Sequence, residues 1–447
     1  MYVKCDLLIH RCSVLTPAFT VEEDCSIAIT GNVIAEIGPS QYMRQKYHAG
    51  KVLDGYGKLA MPGMTDSHTH VCQQLLRART IDEWPMIWTR FLVPFESNLN
   101  PEDVYFSTQL ACLEMIRSGT TGFIESGGVH MDQAAEAVIE SGMRAAIATS
   151  TMDIGEFIPS DMKDTASGCI EKTKRLYRRY HGAGDDRIRI WFAMRQIMTC
   201  SLELVKGTAE EAARLHTGVH AHLCEHRDEV RFCLENYRKR PVEVLLDLGM
   251  LAPNLLTAHS VALTEHDITL MRQANVKVVH CPSSNLSNHG FSKTPRFMEE
   301  EMSIGLGSDG ASSSCLSLFD QMKFLRYGMT AYWGLPVFDP VVMPCDTLLK
   351  MVTIGGARAM QREQEIGTLE PGKKADIITL KIDAPHLMPT ANLVKTLVTA
   401  AGAGDVQDSI INGNLVMENR DVLTLDEGKI ISECKVRQKQ IFERAGF

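Results

Sequence analysis

The chain has 447 residues, is 45% apolar like proteins that bury a full core, and carries a formal net charge of −9. That length suits one large barrel plus a smaller domain, or two to three average domains. No run of Lys or Arg forms a basic stripe, which argues against nucleic acid or an anionic membrane as partner, and no apolar run approaches the length of a membrane span.

Residues 1–58 show short alternating strands. Asp6-Leu7-Leu8-Ile9-His10 and Ser26-Ile27-Ala28-Ile29 precede the turn pair Gly31-Asn32, and Val33 to Gly38 follows it. The start, Met1-Tyr2-Val3-Lys4-Cys5-Asp6, has no apolar signal core. The 13 cysteines are scattered without a Cys-x-x-Cys pair, a pattern of reduced thiols, so a cytoplasmic location is expected.

From 59 to 364 the pattern becomes strand, then helix, repeated. Apolar runs predict strands at Leu59-Ala60-Met61, Thr120 to Ile124, Ala145 to Ala148, Ile188 to Phe192, Val219 to His222, Leu255 to His259, Val276 to His280 and Ser303 to Gly307. Asn100-Pro101 opens the clearest helix, with Phe106, Leu110, Leu113 and Ile116 at helical spacing and Gly119 at its end. Eight such strands with intervening helices predict a (β/α)8 barrel. The β pattern returns in 365–447, at Ala375 to Leu380 and Ser409 to Val416. The two end segments, 1–58 and 365–447, are expected to pair into one small β-sandwich domain.

In such a barrel, chemistry sits at the C-terminal ends of the strands. His68 and His70, in Asp66-Ser67-His68-Thr69-His70, share one face of an extended backbone and can offer two imidazoles to one ion. Strand 5 ends in His222, with Glu225 three residues on. Strand 6 ends in His259, and strand 8 leads to Asp309. A lone strand-end histidine is more often a satisfied polar group than a ligand, and an Asp before Gly more often a turn residue. Five such groups at one end of one barrel point to a metal. His68, His70, His222 and Asp309 supply three nitrogens and one oxygen, leaving a position for water, as a catalytic site requires. The expected ion is zinc, with iron(II) the second choice. Glu225 is placed to move protons, His259 to stabilise a developing oxyanion, and Asp309 to accept a second proton. Strand 4 has no Lys to bridge a second ion, so one ion is expected.

The order His68-Thr69-His70, His222-x-x-Glu225, His259, Ser308-Asp309 resembles the amidohydrolase superfamily. Within it, Met61 to His70, Leu113 to Thr121 and Gly307 to Ser313 are similar to 5′-methylthioadenosine/S-adenosylhomocysteine deaminases and related chlorohydrolases. The resemblance spans nearly the whole chain. It implies hydrolytic deamination of an aromatic N-heterocycle such as a purine, pterin or adenine nucleoside, with Glu225 also protonating the ring nitrogen beside the attacked carbon. It also matches Glu96, in Pro94-Phe95-Glu96, to a ribose-binding carboxylate; the alternative is a solvated Glu. Arg195 and Gln196 stand where the resembled deaminases carry a His, and could grip a ring oxo group or a carboxylate, unless Arg195 pairs with a carboxylate of its own chain. Trp84 and Trp88 could stack on a flat ring or anchor their loop. No arginine follows strand 3 to hold a homocysteine carboxylate.

Two rival functions remain open. One is hydrolytic dechlorination or deamination of a triazine-like ring by the same machinery. The other is a non-catalytic scaffold, against which the complete set of metal and proton-transfer positions speaks. The expected partner is a small heterocycle, with homo-oligomerisation left open.

Overall fold

The computed structural model describes residues 2–83, 86–312 and 314–447. Strands at Met64–Thr69, Thr120–Glu125 and Arg144–Ile147 precede a fourth in two pieces, Ile188–Ile190 and Phe192–Met194. Val219–Leu223, Leu255–His259, Lys277–His280 and Ile304–Leu306 complete the set. Neighbours pair in parallel throughout. Trp191 separates the two pieces of the fourth strand, and its N–H still donates to Ile147 O at 2.9 Å, so that strand links the third strand, paired with its first piece, to the fifth, paired with its second. The eighth strand returns to the first. There the Asp309 N–H donates to His68 O at 2.9 Å. A Cβ on Gly305 would lie 2.4 Å from Ser67 Oγ, and one on Gly307 2.7 Å from His68 Cβ, so the seam needs glycine at both positions. This is the expected (β/α)8 barrel, and strands such as Leu255–His259 are buried along their whole length because both faces are covered.

The helix expected from Asn100 runs Pro101–Arg117. Asn100 accepts from the Asp103 N–H, and the Asp103 carboxylate accepts from the Asn100 N–H, satisfying donors that a helix start otherwise leaves orphaned. Gly119, at φ 85°, takes the left-handed turn that follows.

Leu59-Ala60-Met61 is not a barrel strand. It lies in Lys58–Pro62, which pairs antiparallel with Ile377–Lys381 and parallel with Val3–Leu15 in the sheet of the chain ends. The barrel begins one residue after Gly63, whose N–H donates to Asp376 O while the next N–H, of Met64, donates to Gly119 O. Both extended stretches are buried and meet at a single glycine, and only the first is apolar, so the apolar run marks the end-sheet strand rather than the start of the barrel.

The sheet of the chain ends has nine strands, drawn from Val3–Asp54, Lys58–Pro62 and Ile377–Val422. Val3–Leu15 bends at Arg11, φ 58°, and its two halves pair with different neighbours, Tyr47–Asp54 and Lys58–Pro62. The sheet folds over a shared core in which Ile9, Ile27 and Ile29 meet Ala60, Ile377 and Ile410. The terminal helix Glu427–Ala445 departs from the all-β expectation for 365–447 and lies on the barrel. Its Cys434 Sγ donates to Phe106 O, Gln438 Nε2 donates to Leu75 O at 2.8 Å, and Arg437 and Arg444 both pair with Asp103. No described helix is long and apolar enough to cross a membrane.

Candidate active site

Strands 1, 5, 6 and 8 bring their side chains to one mouth. His68 and His70 alternate along the first strand onto a common face, and His220 and His222 do the same on the fifth. His222 Nε2 lies 3.3 Å from His70 Nε2, and Asp309 Oδ1 lies 2.9 Å from His68 Nε2 and 3.5 Å from His70 Nε2. Two overlapping donor groups result, His68/His70/His222 and His68/His259/Asp309, each with its ligand atoms within 4.8 Å of one another. Cys224, His259 and Asp309 have φ of 49°, 71° and 61°. Such left-handed backbone costs about 1–3 kcal/mol per residue and marks three of the strand ends around this mouth.

The donor set fits a divalent cation. Burial holds His68 below the usual imidazole range and pushes His70 and His222 well below it, so neutral rings present lone pairs. Burial opposes ionisation of Asp309, but His259 and His68 outweigh it and keep the carboxyl well below the usual carboxylate range. His222 Nδ1 is buried with no partner while its Nε2 faces another imidazole nitrogen, an arrangement a bound cation would satisfy. Three imidazoles and one carboxylate are the ligand types of a catalytic zinc or iron(II) site.

Glu225 sits beside this cluster on the turn after strand 5. Gln196 Nε2 donates to its Oε2 at 3.1 Å, and its Oε1 lies 3.0 Å from His289 Nε2 and 3.9 Å from His259 Nε2. Burial works against its ionisation, yet His259 and His289 hold the carboxyl well below its usual range. His259 Nδ1 meets Asn285 Oδ1 at 3.3 Å and its buried Nε2 has no partner in the protein. Glu229 supports the Glu225 turn, with Oε2 accepting from the Glu225 N–H at 3.0 Å and Oε1 buried and unpartnered.

Burial pushes the Glu229 carboxyl up to about 8, so the folded state holds a proton that the unfolded chain releases near its ordinary value of 4.5. Unfolding then releases that proton between those two values, and stability falls as pH rises through the window. Denaturant titrations at pH 5 and pH 8 are expected to show a smaller decline for Glu229→Gln than for the wild type; equal declines would mean that Glu229 is ionised in the fold.

Glu96 and Arg195 form one buried ion pair. Arg195 Nη2 donates to Glu96 Oε1 at 3.0 Å, Arg195 Nη1 donates to Gly127 O at 3.0 Å, and Gln73 Nε2 donates to Glu96 Oε1 at 2.6 Å. Arg195 therefore pairs within its own chain, and its grip on a ring oxo group is revised accordingly; Gln196 faces Glu225. Trp88 packs against the Val93, Met152 and Ile158 cluster, which anchors its loop. Trp84 lies outside the described residues.

Residues 59–416 match the model of the amidohydrolase family. The chain belongs to that family. It is 36% identical over 443 residues to the 5-methylthioadenosine/S-adenosylhomocysteine deaminase of Pelotomaculum thermopropionicum, covering 98% of this chain and 99% of the relative. It is 34% identical over 445 residues to the 5′-deoxyadenosine deaminase of Methanosarcina acetivorans, again 98% and 99%. A solved structure of an adenosine deaminase from Xanthomonas campestris with bound zinc superposes with a TM-score of 0.91 at 27% identity, covering 99% of both chains.

Around the amidohydrolase donor set stand groups that motif reading passed over. Asp66 takes hydrogen bonds from the Ser308 N–H at 3.0 Å, the Ser308 hydroxyl at 2.6 Å and the His68 N–H at 3.2 Å, tying the ends of strands 1 and 8 together. His220 Nε2 lies 3.1 Å from His68 Nδ1, and the Ser126 hydroxyl lies 3.0 Å from His70 Nδ1. Such partners fix ring orientation. Asp66 and His220 each stand two residues before a strand-end His, so the alternation that found the His pair was also their signal. Glu125, which accepts from the Val71 N–H at 2.6 Å and whose carboxyl burial raises to about 8, had no such signal.

Proposed function

We propose that this amidohydrolase is a metal-dependent hydrolytic deaminase acting on an adenine-type nucleoside. The carrying observation is Glu225, a carboxylate beside three imidazoles and Asp309, in a chain whose full-length relatives are named as adenine-nucleoside deaminases. His68, His70, His222 and Asp309 would hold one ion, zinc before iron(II), which supplies Lewis acidity and a water nucleophilic at neutral pH.

The chain's own groups do the rest. Glu225 takes a proton from the attacking water and delivers it to the ring nitrogen next to the attacked carbon. A C–O bond forms, and His259 donates from Nε2 to the developing oxyanion. Asp309 accepts the remaining proton of the former water and passes it to the amino group; the C–N bond breaks and ammonia leaves, with the ring carbon now bearing oxygen. Glu96 is the proposed ribose contact. Its Oε2 has only a 3.4 Å approach from Arg195 Nη1, whereas its Oε1 is doubly bonded by donors. Arg195 thereby orients Glu96, and Gln196 orients Glu225. The free cysteines, twelve of thirteen buried, support a reducing compartment.

The test is ammonia release by the zinc-loaded protein on adenosine, 5′-methylthioadenosine, S-adenosylhomocysteine, guanine, an aminopterin ring and an aminotriazine. Turnover of the adenine nucleosides is expected, with S-adenosylhomocysteine weakest because no arginine follows strand 3. Turnover confined to guanine or the aminopterin would refute the nucleoside reading, and turnover of the triazine alone would replace it.

A further inference from the structure

The segment after strand 7 touches both Glu225 and His259. Asn285–His289 is a single five-residue turn of helix, with Asn285 at its start meeting His259 Nδ1 and His289 at its end meeting Glu225 Oε1. The segment is anchored from below. The Asn285 N–H donates to Cys281 O at 2.8 Å, and buried Gln321 brackets Ser283 by accepting from its N–H at 3.0 Å and donating to its hydroxyl at 2.9 Å. It is closed above by Gly290, whose N–H donates to Asn285 O at 2.7 Å and whose φ of 106° with ψ of −161° is glycine backbone. Beyond the turn, the Ser292 hydroxyl donates to His259 O at 2.8 Å. His289 itself is mostly buried and meets the His259 ring edge-on at 5.9 Å.

We infer that His289 is a positioning residue for Glu225, an inference that rests on the proton-transfer role proposed for that carboxylate. A carboxylate on a long side chain can turn about its last torsion. With Gln196 donating to Oε2 and His289 holding Oε1, both oxygens are fixed, each keeps acceptor capacity, and Oε1 is set beside His259 Nε2. Because His289 and Asn285 share one short turn, the proton carrier and the oxyanion donor are held at a set spacing, 3.9 Å between Glu225 Oε1 and His259 Nε2. Releasing Oε1 should leave substrate binding alone and spoil the reactive geometry, where a misplacement of about 1 Å costs on the order of 10²-fold.

The experiment uses the zinc-loaded full chain and an adenine nucleoside. The Nε2 of a glutamine reaches where the imidazole Nε2 stands, whereas asparagine is one methylene short. His289→Gln is expected to keep kcat within about threefold of wild type, while His289→Asn and His289→Leu lose about 10–100-fold in kcat, with KM and zinc content unchanged. Gln and Asn are equally polar, so their difference reads reach rather than folding, even if the Leu variant fails to fold. In a Glu225→Gln background, His289→Asn should cause no further loss. Three outcomes overturn the inference: wild-type kcat in His289→Asn, a loss carried by KM, or an additive loss in the Glu225→Gln background. If Glu225→Gln itself turns over normally, the proposed role of Glu225 fails; if it is inactive while His289→Asn is unaffected, only the role of His289 fails.

Discussion

Glu225→Gln is expected to lower kcat by about 10²–10⁴-fold while zinc content stays at the wild-type level. The substitution keeps size and shape, and Glu225 is not among the side chains grouped as metal donors. What it removes is the ability to take up and release a proton. Burial disfavours charge on Glu225, yet His259 and His289 hold it ionised, so the resting site has a base ready to accept. An amide there cannot accept that proton, and its NH2 would face one of two donors, Gln196 Nε2 or His289 Nε2. Elemental analysis with steady-state ammonia release checks both halves. Near-normal turnover with metal bound would take Glu225 out of the mechanism. Loss of metal together with turnover would make it a structural support of the donor set.

The parts of this site that could be read from sequence are those set by strand alternation and strand order. His68, His70, His222, His259 and Asp309 stand at strand ends, and parallel pairing of neighbours puts strand ends together regardless of what fills the loops. The contacts that orient them were less legible. Asn285 fixes its own loop and meets His259 Nδ1 at 3.3 Å in one contact, which the composition of the loop does not reveal. His289 lies on a turn whose shape depends on Gly290 and on Gln321 thirty-one residues further on, a relation that no local pattern carries. Glu96 and Arg195 are ninety-nine residues apart, and the sequence leaves open whether each faces a ligand or not, because charge in a barrel mouth has two solutions, a substrate or another charge. The slip at Leu59-Ala60-Met61 has a different cause. The chain runs from the end sheet into the barrel through Gly63 alone, and the apolar run belongs to the end sheet, whereas the barrel strand Met64–Thr69 is buried but mostly polar and gives no apolar signal of its own.

Asp376→Ala is expected to destabilise the fold by about 3–5 kcal/mol without changing kcat below the unfolding transition. Arg144 opens the third barrel strand at the face opposite the site, and its side chain is 1% exposed. It donates from Nε to Asp376 Oδ2 at 2.7 Å and from Nη2 to Asp376 Oδ1 at 3.0 Å, a two-pronged contact that also includes Asn412, whose N–H donates to Asp376 Oδ1 at 2.8 Å. Asp376 immediately precedes the end-sheet strand Ile377–Lys381, so this pair fastens that sheet to the base of the barrel. Removing the carboxylate alone strands a guanidinium in a dry interior and orphans the Asn412 N–H, and both costs add. Replacing both partners by apolar side chains, as in Arg144→Met with Asp376→Leu, removes the stranded charge and should recover most of the loss. Urea unfolding followed at constant m-value separates the two cases. A single variant as stable as wild type would show that water reaches Arg144 there, and a double variant no better than the single would place the cost in the Asn412 N–H rather than in the charge. Because the pair sits at the opposite end of the strands from His68 and Asp309, a large fall in kcat at full folding would mean that the end sheet sets the geometry of the barrel mouth.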